Sequence, residues 1–340
     1  MNLIPYDLII IGGGPAGAAA AVYASRKRLN TLFITAEFGG QSVVSKKIYN
    51  WIGTTEITGA KLASNLKDHV MANSGEFLKV KEGLKVNNIS KENDPRHGGA
   101  NLFKIKTNAG EEFETKTILI ATGSKHRKLE AKNADKFEHK GLTYCATCDG
   151  PLFSDTDVVV IGGGNAAFES ASQLLAYCSS VTLLNRSDTF RANEITIEKL
   201  SKNPKFKILK NIDILEIKGD KFVEGILIKP ARNAFSIADA GGDKNIGIEK
   251  ASPVELQPRE LKVAGIFIEI GQIPNTDFVK DIVPLDKIGR IKIDPWTGKT
   301  ETPGIWAAGD CTNVFYHQNN IAAGDAVKAL EDIYLAIHTK

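Results

Sequence analysis

A fifteen-residue pattern occurs twice in this chain, 150 positions apart, and it constrains the fold more than any other feature. Asp7 begins "DLIIIGGGPAGAAAA" and Asp157 begins "DVVVIGGGNAAFESA", identical at seven positions in register. Each copy reads as a buried parallel strand, a glycine-rich turn and a helix that starts on small residues. The turn residues have separable tasks. Gly12 makes the tight turn, Gly14 lets the backbone approach a pyrophosphate, and Gly17 lets the helix pack close to the strand. Gly162, Gly164 and Ala167 take those places in the second copy. Pro15 and Ala16, and likewise Asn165 and Ala166, open the helices whose N-terminal N–H groups would face the phosphates. One such turn is weak evidence. Two, each behind an apolar strand, predict an α/β protein with two nucleotide-binding domains.

Composition agrees with that prediction and excludes other classes. A length of 340 residues suits two domains at about 150 residues each. The 43 basic and 40 acidic residues leave a net charge of +3, too little to argue for nucleic acid. No apolar run approaches the roughly 20 residues that span a bilayer. The first strand starts almost at Met1, so no signal peptide is expected, and the default location is cytoplasmic. The cysteines are Cys145, Cys148, Cys178 and Cys311. Cys145 and Cys148 lie in "TYCATCDGPLF" and pose a three-way choice: half of a zinc site, a structural disulfide, or a redox pair. Zinc on four thiolates needs a second close pair, which Cys178 and Cys311 do not make, and no metal is expected. A reducing compartment disfavours a structural disulfide. Redox work remains, beside the plain alternative of two inert buried thiols.

Other segments extend the pattern. "TLFITAE" reads as the second strand of the first unit. Glu37 follows Gly17 by 20 residues, about where an acid meets a ribose. "TILIATGS" reads as a strand ending in the turn Thr122-Gly123. "PGIWAAGDC" is a short strand running into Asp310, which could receive ribityl hydroxyls of a flavin. The last helix, "NIAAGDAVKALEDIYLAIH", reads as a packing element.

The order of motifs resembles the low-molecular-weight thioredoxin reductases of the flavoprotein disulfide reductase group. The matching pieces are "GGGPAG", "GGQ" at Gly39–Gln41, "YNWIG" at Tyr49–Gly53, "ATG", "CATCDG", "GGGNAA", "FRA" at Phe190–Ala192, "GQIPNT", "AAGDC" and "YHQNNIAAG". They run from about Tyr6 to Ile337. The resemblance implies two Rossmann-like domains in three layers, the second inserted in the first. That places an FAD domain at 1–123 and 263–340, with the NAD(P) domain and the Cys pair at 124–262. It implies one FAD per chain, with Gly40, Gln41, Asn50, Asp310, Gln318 and Asn319 along the flavin. It also implies NADPH as reductant, a thioredoxin-like protein as substrate, and a homodimer. Electrons would pass from the nucleotide through the flavin to Cys145–Cys148, with Cys148 nearer the flavin. Asp149 would serve as acid and base, its plain alternative being a turn residue. Nicotinamide and Cys pair share one domain, so that domain would have to rotate, with hinges near Gly123-Ser124 and Lys262–Gly265.

The sequence departs from that family in four places. Where NADPH-specific members carry His-Arg-Arg and a later Arg, this chain has Asn185, Arg186 and Ser187, then Arg191. Asn185 is read as the residue at the end of the second strand, where NAD-selecting sites place a carboxylate. Arg186 and Arg191 are the expected phosphate ligands, with Ser187 as an added hydroxyl donor, which favours NADPH by a reduced margin and leaves NADH possible. Tyr-Arg-Gln near the C-terminus becomes Tyr316-His317-Gln318. The segments 87–101 and 232–253 read as inserted surface loops. "CDGPLF", "VAGIFIEIG" and "AAGDCTNV" resemble the flavoprotein subunit of alkyl hydroperoxide reductase, whose extra N-terminal domain this chain is expected to lack. The alternatives are therefore an NADH-dependent reductase of a peroxiredoxin or glutaredoxin-like partner, a flavoprotein with another reductant, and a flavin redox sensor.

Overall fold

The computed structural model describes residues 5–45, 47–92, 102–231 and 257–339. The chain divides into two compact units, Met1–Lys125 with Gln272–Lys340, and His126–Gly271.

The first unit begins with β1 (Tyr6–Gly13), α1 (Pro15–Arg26), β2 (Thr31–Phe38), α2 (Gly59–Ala72), β3 (Leu78–Glu82), β4 (Val86–Glu92), β5 (Leu102–Thr107) and β6 (Glu112–Ile120). β1 lies between β2 and β6, parallel to both. Its residues Leu8–Ile11 are buried because both faces of the sheet are covered, which is why the strand is apolar throughout rather than alternating. β6 is long enough to serve two neighbours on its other edge. Its first half pairs antiparallel with β5, and its last three residues pair parallel with β17 (Ile305–Ala307). One face of the sheet packs against α1 and the last helix, α7 (Asn319–His338), where Ala18, Ala21 and Ala24 meet Ala322, Ala326 and Ala329. Small residues bring these helices close. Leu330 and Ile333 add the larger apolar contacts, each burying roughly 1.5–3 kcal/mol of side chain. The other face is covered by Ile89, Phe103, Ile105, Val279, Val283 and Ile291.

The chain leaves this unit through β7 (Ser124–His126). The second unit holds α3 (Ala134–Phe137), β8 (Leu142–Thr143), α4 (Ala146–Asp149), β9 (Asp157–Ile161), α5 (Asn165–Leu174), β10 (Ser180–Leu184), α6 (Glu194–Ser201) and β11 (Phe206–Leu209). β12 (Ile212–Gly219), β13 (Val223–Pro230), β14 (Arg259–Lys262) and β15 (Gly265–Ile268) complete it. Its central sheet is parallel, in the order β11-β10-β9-β15-β8. The antiparallel sheet β12-β13-β14 contributes Ile217, Val223, Ile226 and Ile228 to the core on one face. Ala167, Phe168, Ala171 and Leu174 of α5 pack on the other. Both units are thus Rossmann-like α/β layers.

The expected second crossing at Lys262–Gly265 differs from the observed one. Gly265–Ile268 is a central strand held between β9 and β8, so the chain returns to the first unit only at Gly271 and Gln272, at the start of β16 (Gln272–Pro274). Of the two expected insertions, 87–92 belongs to β4, while 93–101 and all of 232–253 lie outside the described residues. Among the described residues no helix is long and apolar enough to cross a membrane.

Candidate active site

The first glycine turn is set by two close approaches. Gly12 has φ +117°, and a Cβ there would fall 2.3 Å from the Ala121 carbonyl oxygen. A Cβ on Gly17 would fall 1.8 Å from the Gly12 carbonyl oxygen. α1 therefore starts hard against the turn, with Gly14 as N-cap and Pro15 and Ala16 in its first turn. Pro suits that place because its missing N–H would have no partner there. Glu37 is exposed near the end of β2, and its carbonyl accepts the Thr35 hydroxyl at 2.6 Å.

Beyond β2 the chain gathers the other residues expected along a flavin. Gly39 returns to the Gly13 carbonyl at 2.8 Å, and a short 3-10 helix, Gly40–Val44, carries Gln41. Gln41 Nε2 donates to Ser124 Oγ at 3.1 Å and reaches Asp310 Oδ2 at 3.4 Å. Gln41 Oε1 is buried and finds no hydrogen-bond partner among the described residues. A buried acceptor in that condition calls for a donor from outside the described residues. Asn50 Nδ2 donates to Gln318 Oε1 at 3.0 Å, and Asn319 and Ser42 bond at 2.9 Å. Thr122 and Asn275 exchange two bonds, 2.8 Å from the hydroxyl and 2.9 Å from the amide, which fix the turn before Gly123.

The second turn has the same backbone plan with other side chains. A Cβ on Gly162 would fall 2.3 Å from the Glu269 carbonyl oxygen, as one on Gly12 would from that of Ala121. Gly164 caps α5, and a Cβ there would meet nothing within 4 Å, so the space before Asn165, Ala166 and Ala167 is open. The Asn165 side chain is already engaged, accepting the Asn193 N–H at 2.9 Å. Asn185 directly follows β10, at the strand end where the sequence places it. It is buried, and its amide donates at 2.9 Å to the Ser187 carbonyl and at 2.8 Å to that of Thr189. It therefore shapes the loop, and Ser187 occupies the place that Glu37 has in the first unit. Arg186 is exposed, 3.7 Å from Asp213, and Arg191 sits beside the turn with its N–H on the Gly163 carbonyl at 2.8 Å.

Cys145 and Cys148 form a disulfide with S–S 2.06 Å, so they are not zinc ligands here. Cys145 is the N-cap of α4, and its Sγ accepts the Cys148 N–H at 3.1 Å. Asp149 closes that turn with its N–H on the Cys145 carbonyl at 3.0 Å, and its carboxylate accepts the Thr143 hydroxyl. Burial pushes the Asp149 carboxyl above its usual range, against the lowering influence of Thr143 and His139. Gly150 leaves room for Leu174 and Tyr177 behind the pair. Cys178 and Cys311 are buried apart from it, and burial raises each thiol to about 11, so both are packing residues.

Three residues escaped the sequence reading. His317 stands 3.5 Å from Asp310, and only the altered Tyr-His-Gln triplet hinted at it. Glu269 directly follows β15, and its carboxylate accepts the Ser170 hydroxyl at 2.5 Å while burial raises it to about 7. Aligning "IFIEIG" with "ILIATG" would have found it. Lys210 follows β11 and lies 4.7 Å over the Phe190 ring, on the Arg191 side of the turn; a lone lysine after a strand carries no signal.

These two turns and the cysteine pair define a nucleotide-dependent disulfide oxidoreductase architecture. The description "Pyridine nucleotide-disulphide oxidoreductase" matches residues 6–329, and the chain belongs to that family. Its enzymes are flavin-dependent disulfide oxidoreductases that use a nicotinamide cofactor. The chain is 34% identical over 325 residues to an NADH dehydrogenase of Bacillus subtilis (strain 168), covering 96% of itself and 57% of that protein. It is 36% identical over 324 residues to a subunit of alkyl hydroperoxide reductase of Escherichia coli (strain K12), covering 95% and 57%. It thus spans little more than half the length of these curated relatives. Among solved structures, thioredoxin reductase from Streptococcus pyogenes MGAS5005 superposes with TM-score 0.82 at 30% identity, covering 98% of this chain and 99% of that one. Thioredoxin reductase from Giardia duodenalis gives 0.83 at 28%, with 98% of each chain covered.

Proposed function

We propose that this chain is a thioredoxin-disulfide reductase, carrying electrons from NADPH through FAD to Cys145–Cys148 and on to a thioredoxin-like protein. The observation that carries the reading is the Cys145–Cys148 disulfide, with Asp149 folded against it, in the unit that holds its own glycine turn. The first unit fits a flavin dinucleotide. The α1 N-terminus offers unpaired N–H groups to a pyrophosphate. Gln41 Oε1 lacks a donor among the described residues, and Asp310 could accept hydroxyls. Gly12, Gly14, Gln41, Asn50, Asp310, Gln318 and Asn319 would hold it, and the flavin when bound supplies two-electron transfer between nicotinamide and disulfide. Gly162, Gly164, Arg186 and Arg191 would hold the nicotinamide nucleotide.

The protein's own residues then account for the exchange. In the reduced pair the Cys148 N–H would favour Cys145 as the thiolate, as it already bonds that sulfur at 3.1 Å. Cys145 attacks one sulfur of the partner disulfide, forming a mixed disulfide and releasing the other partner sulfur as a thiolate. Asp149, held protonated to higher pH by burial, supplies the proton to a departing thiolate. Cys148 then attacks Cys145, restoring the intramolecular disulfide and freeing the partner as a dithiol.

A second reading, NADH-dependent reduction of a peroxiredoxin-type partner, is favoured by one observation: the relatives at 34–36% identity carry the names NADH dehydrogenase and alkyl hydroperoxide reductase. Anaerobic titration of the purified flavoprotein with NADPH and NADH separately decides between the two, and NADPH should bleach the flavin at lower concentration. Cys145→Ser and Cys148→Ser should each abolish protein disulfide reduction and leave reduction of artificial acceptors intact. Asp149→Asn should slow disulfide reduction by ~10²-fold. Protein that releases no flavin on denaturation, or equal loss of both activities in the cysteine variants, would end the proposal. Light scattering should show a homodimer.

A further inference from the structure

Asp310, Gln41 and His317 form a cluster within the first unit whose charge depends on the protonation of the His317 ring. Asp310 Oδ2 faces the Gln41 amide at 3.4 Å and Oδ1 faces His317 Nδ1 at 3.5 Å. His317 Nε2 lies 3.1 Å from the Val314 carbonyl, which can only accept, so Nε2 carries a hydrogen. If the ring were neutral, Nδ1 would then point a lone pair at a carboxylate. Nδ1 is itself buried without a hydrogen-bond partner among the described residues. The imidazolium is the form that suits both nitrogens: Nε2 donates to the carbonyl, and Nδ1–H faces the carboxylate at ion-pair distance. Among the described residues, Arg290 also acts on the ring; its guanidinium opposes protonation but is paired with Asp286 at 2.7 Å. The net result lies with Asp310, which holds the imidazole above its ordinary value.

Resting on the flavin reading of this unit, we propose that His317 is a positioning residue whose proton sets the charge at Asp310 and so ties the flavin's reduction to proton uptake on the protein. With the ring protonated, the His317–Asp310 pair is neutral. With it neutral, the pair carries one negative charge beside a cofactor that gains two electrons on reduction. Adding electrons therefore raises the affinity of Nδ1 for a proton, and that proton comes from solvent. The electrons come from the nicotinamide nucleotide, and the cofactor's own proton uptake is unchanged. In the pH window where His317 is neutral before reduction and protonated after it, one extra proton accompanies each two-electron step.

The midpoint potential of the flavin-loaded protein, measured by dye equilibration from pH 5.5 to 9, tests this. One extra proton per two electrons is a tenfold change in the equilibrium per pH unit, or about 30 mV per pH unit added to the slope. Wild type should show that added slope over part of the range. His317→Gln should lose it and follow the lower potential throughout, whereas His317→Arg should lose it and stay near the acid-side potential. Histidine NMR on the wild-type holoprotein gives an independent reading: the His317 ring should titrate at higher pH in the reduced state than in the oxidised one. Three parallel potential lines without added slope, or an unchanged ring titration, would overturn this inference alone. A protein that holds no flavin would overturn the functional reading and this inference together.

Discussion

The two glycine turns can be laid on one another strand for strand, and most of what differs between them lies in side chains. Ile11 pairs with Ile34 on one side and Ile120 on the other, while Ile161 pairs with Leu184 and Ile268. Thr35 therefore corresponds to Asn185, Glu37 to Ser187, and Ala121 to Glu269. The first of these pairs does the same work with different atoms. Thr35 donates to the carbonyl two residues on at 2.6 Å, and Asn185 does so at 2.9 Å. The carbonyl of the middle glycine is also capped in both, by Gly39 in the first unit and by Arg191 in the second, each at 2.8 Å. The second loop reaches its cap two residues later. Four positions do differ in chemistry: Pro15 against Asn165, Gly17 against Ala167, Ala121 against Glu269, and Glu37 against Ser187. Backbone geometry makes the cradle, and these exchanges leave it intact while changing how tightly the turn is packed and what charge surrounds it.

The largest expected effect lies at Gly17. A methyl there would stand 1.8 Å from a carbonyl oxygen of the turn itself, and neither the strand nor the helix can move without losing contacts. Gly17→Ala should cost about 3 kcal/mol or more, the upper part of overpacking effects. The variant should elute without flavin and melt well below wild type. Wild-type melting and flavin content would show that the first turn is no tighter than the second.

Next comes Glu269, where the second unit buries a carboxyl and the first has Ala121. Burial raises this group to about 7, so the folded protein keeps its proton after the unfolded chain has released it. Between the ordinary glutamate range and about pH 7 the folded state binds more protons, and stability must fall as pH rises. Above about 7 the loss is complete. The shift corresponds to about 2–3 kcal/mol after allowance for partial exposure. Urea unfolding of wild type and Glu269→Gln at pH 5 and pH 8 should show that much extra decline in wild type alone. Identical declines would mean that the carboxyl is solvated and that the two third strands end alike.

How much of this was legible beforehand follows from the kind of signal each residue leaves. The turns and their strands were readable because glycine spacing and unbroken apolar runs are local consequences of a buried parallel strand. Sequence alone places Asn185 at the end of the second strand and makes Ser187 an added donor, but the match of Ser187 to Glu37 needs the register, which only pairing with β9 supplies. His317 approaches Asp310 because the chain folds back between Asp310 and α7, and Glu269 meets Ser170 across 99 residues. Neither contact follows from a sequence periodicity. The second crossing was misplaced for a related reason. Gly265 looks like a linker glycine, yet it starts a strand whose lack of a side chain accommodates the Phe153 ring, 2.7 Å from where its Cβ would be.

The exchange of Glu37 for Ser187 predicts a smaller effect, on nucleotide choice. A serine does not repel a 2′-phosphate as a carboxylate would, and Arg186 and Arg191 flank it. Losing one charge-assisted contact costs about 1.5–3 kcal/mol when buried. Arg186 is exposed and already shares Asp213, so the lower end applies. Arg186→Ala should raise the KM for NADPH by ~10-fold and leave that for NADH nearly unchanged. Equal changes for both would place Arg186 away from the 2′ position and weaken the comparison with Glu37.

The smallest effect is expected at Ala167, the partner of Gly17 in the comparison. Here a side chain already occupies the place that the first unit must leave empty. Its methyl lies 3.1 Å from where a Cβ on Gly162 would be, and the residue is fully buried with Phe168, Ala171 and Leu174. α5 therefore stands slightly farther from its turn than α1 does from its own. Ala167→Gly removes no clash and closes no gap. It loses helix propensity and a little apolar burial, about 1 kcal/mol together at a position in the first helical turn. That corresponds to a fall in Tm of about 2–4 °C for a unit of this size, with flavin content and NADPH affinity unchanged. The test is the ratio of the two substitutions rather than either alone. Gly17→Ala must be far more damaging than Ala167→Gly if the turns differ in tightness. A drop at Ala167 as large as that at Gly17 would mean that the alanine methyl, rather than close backbone approach, holds the second turn together.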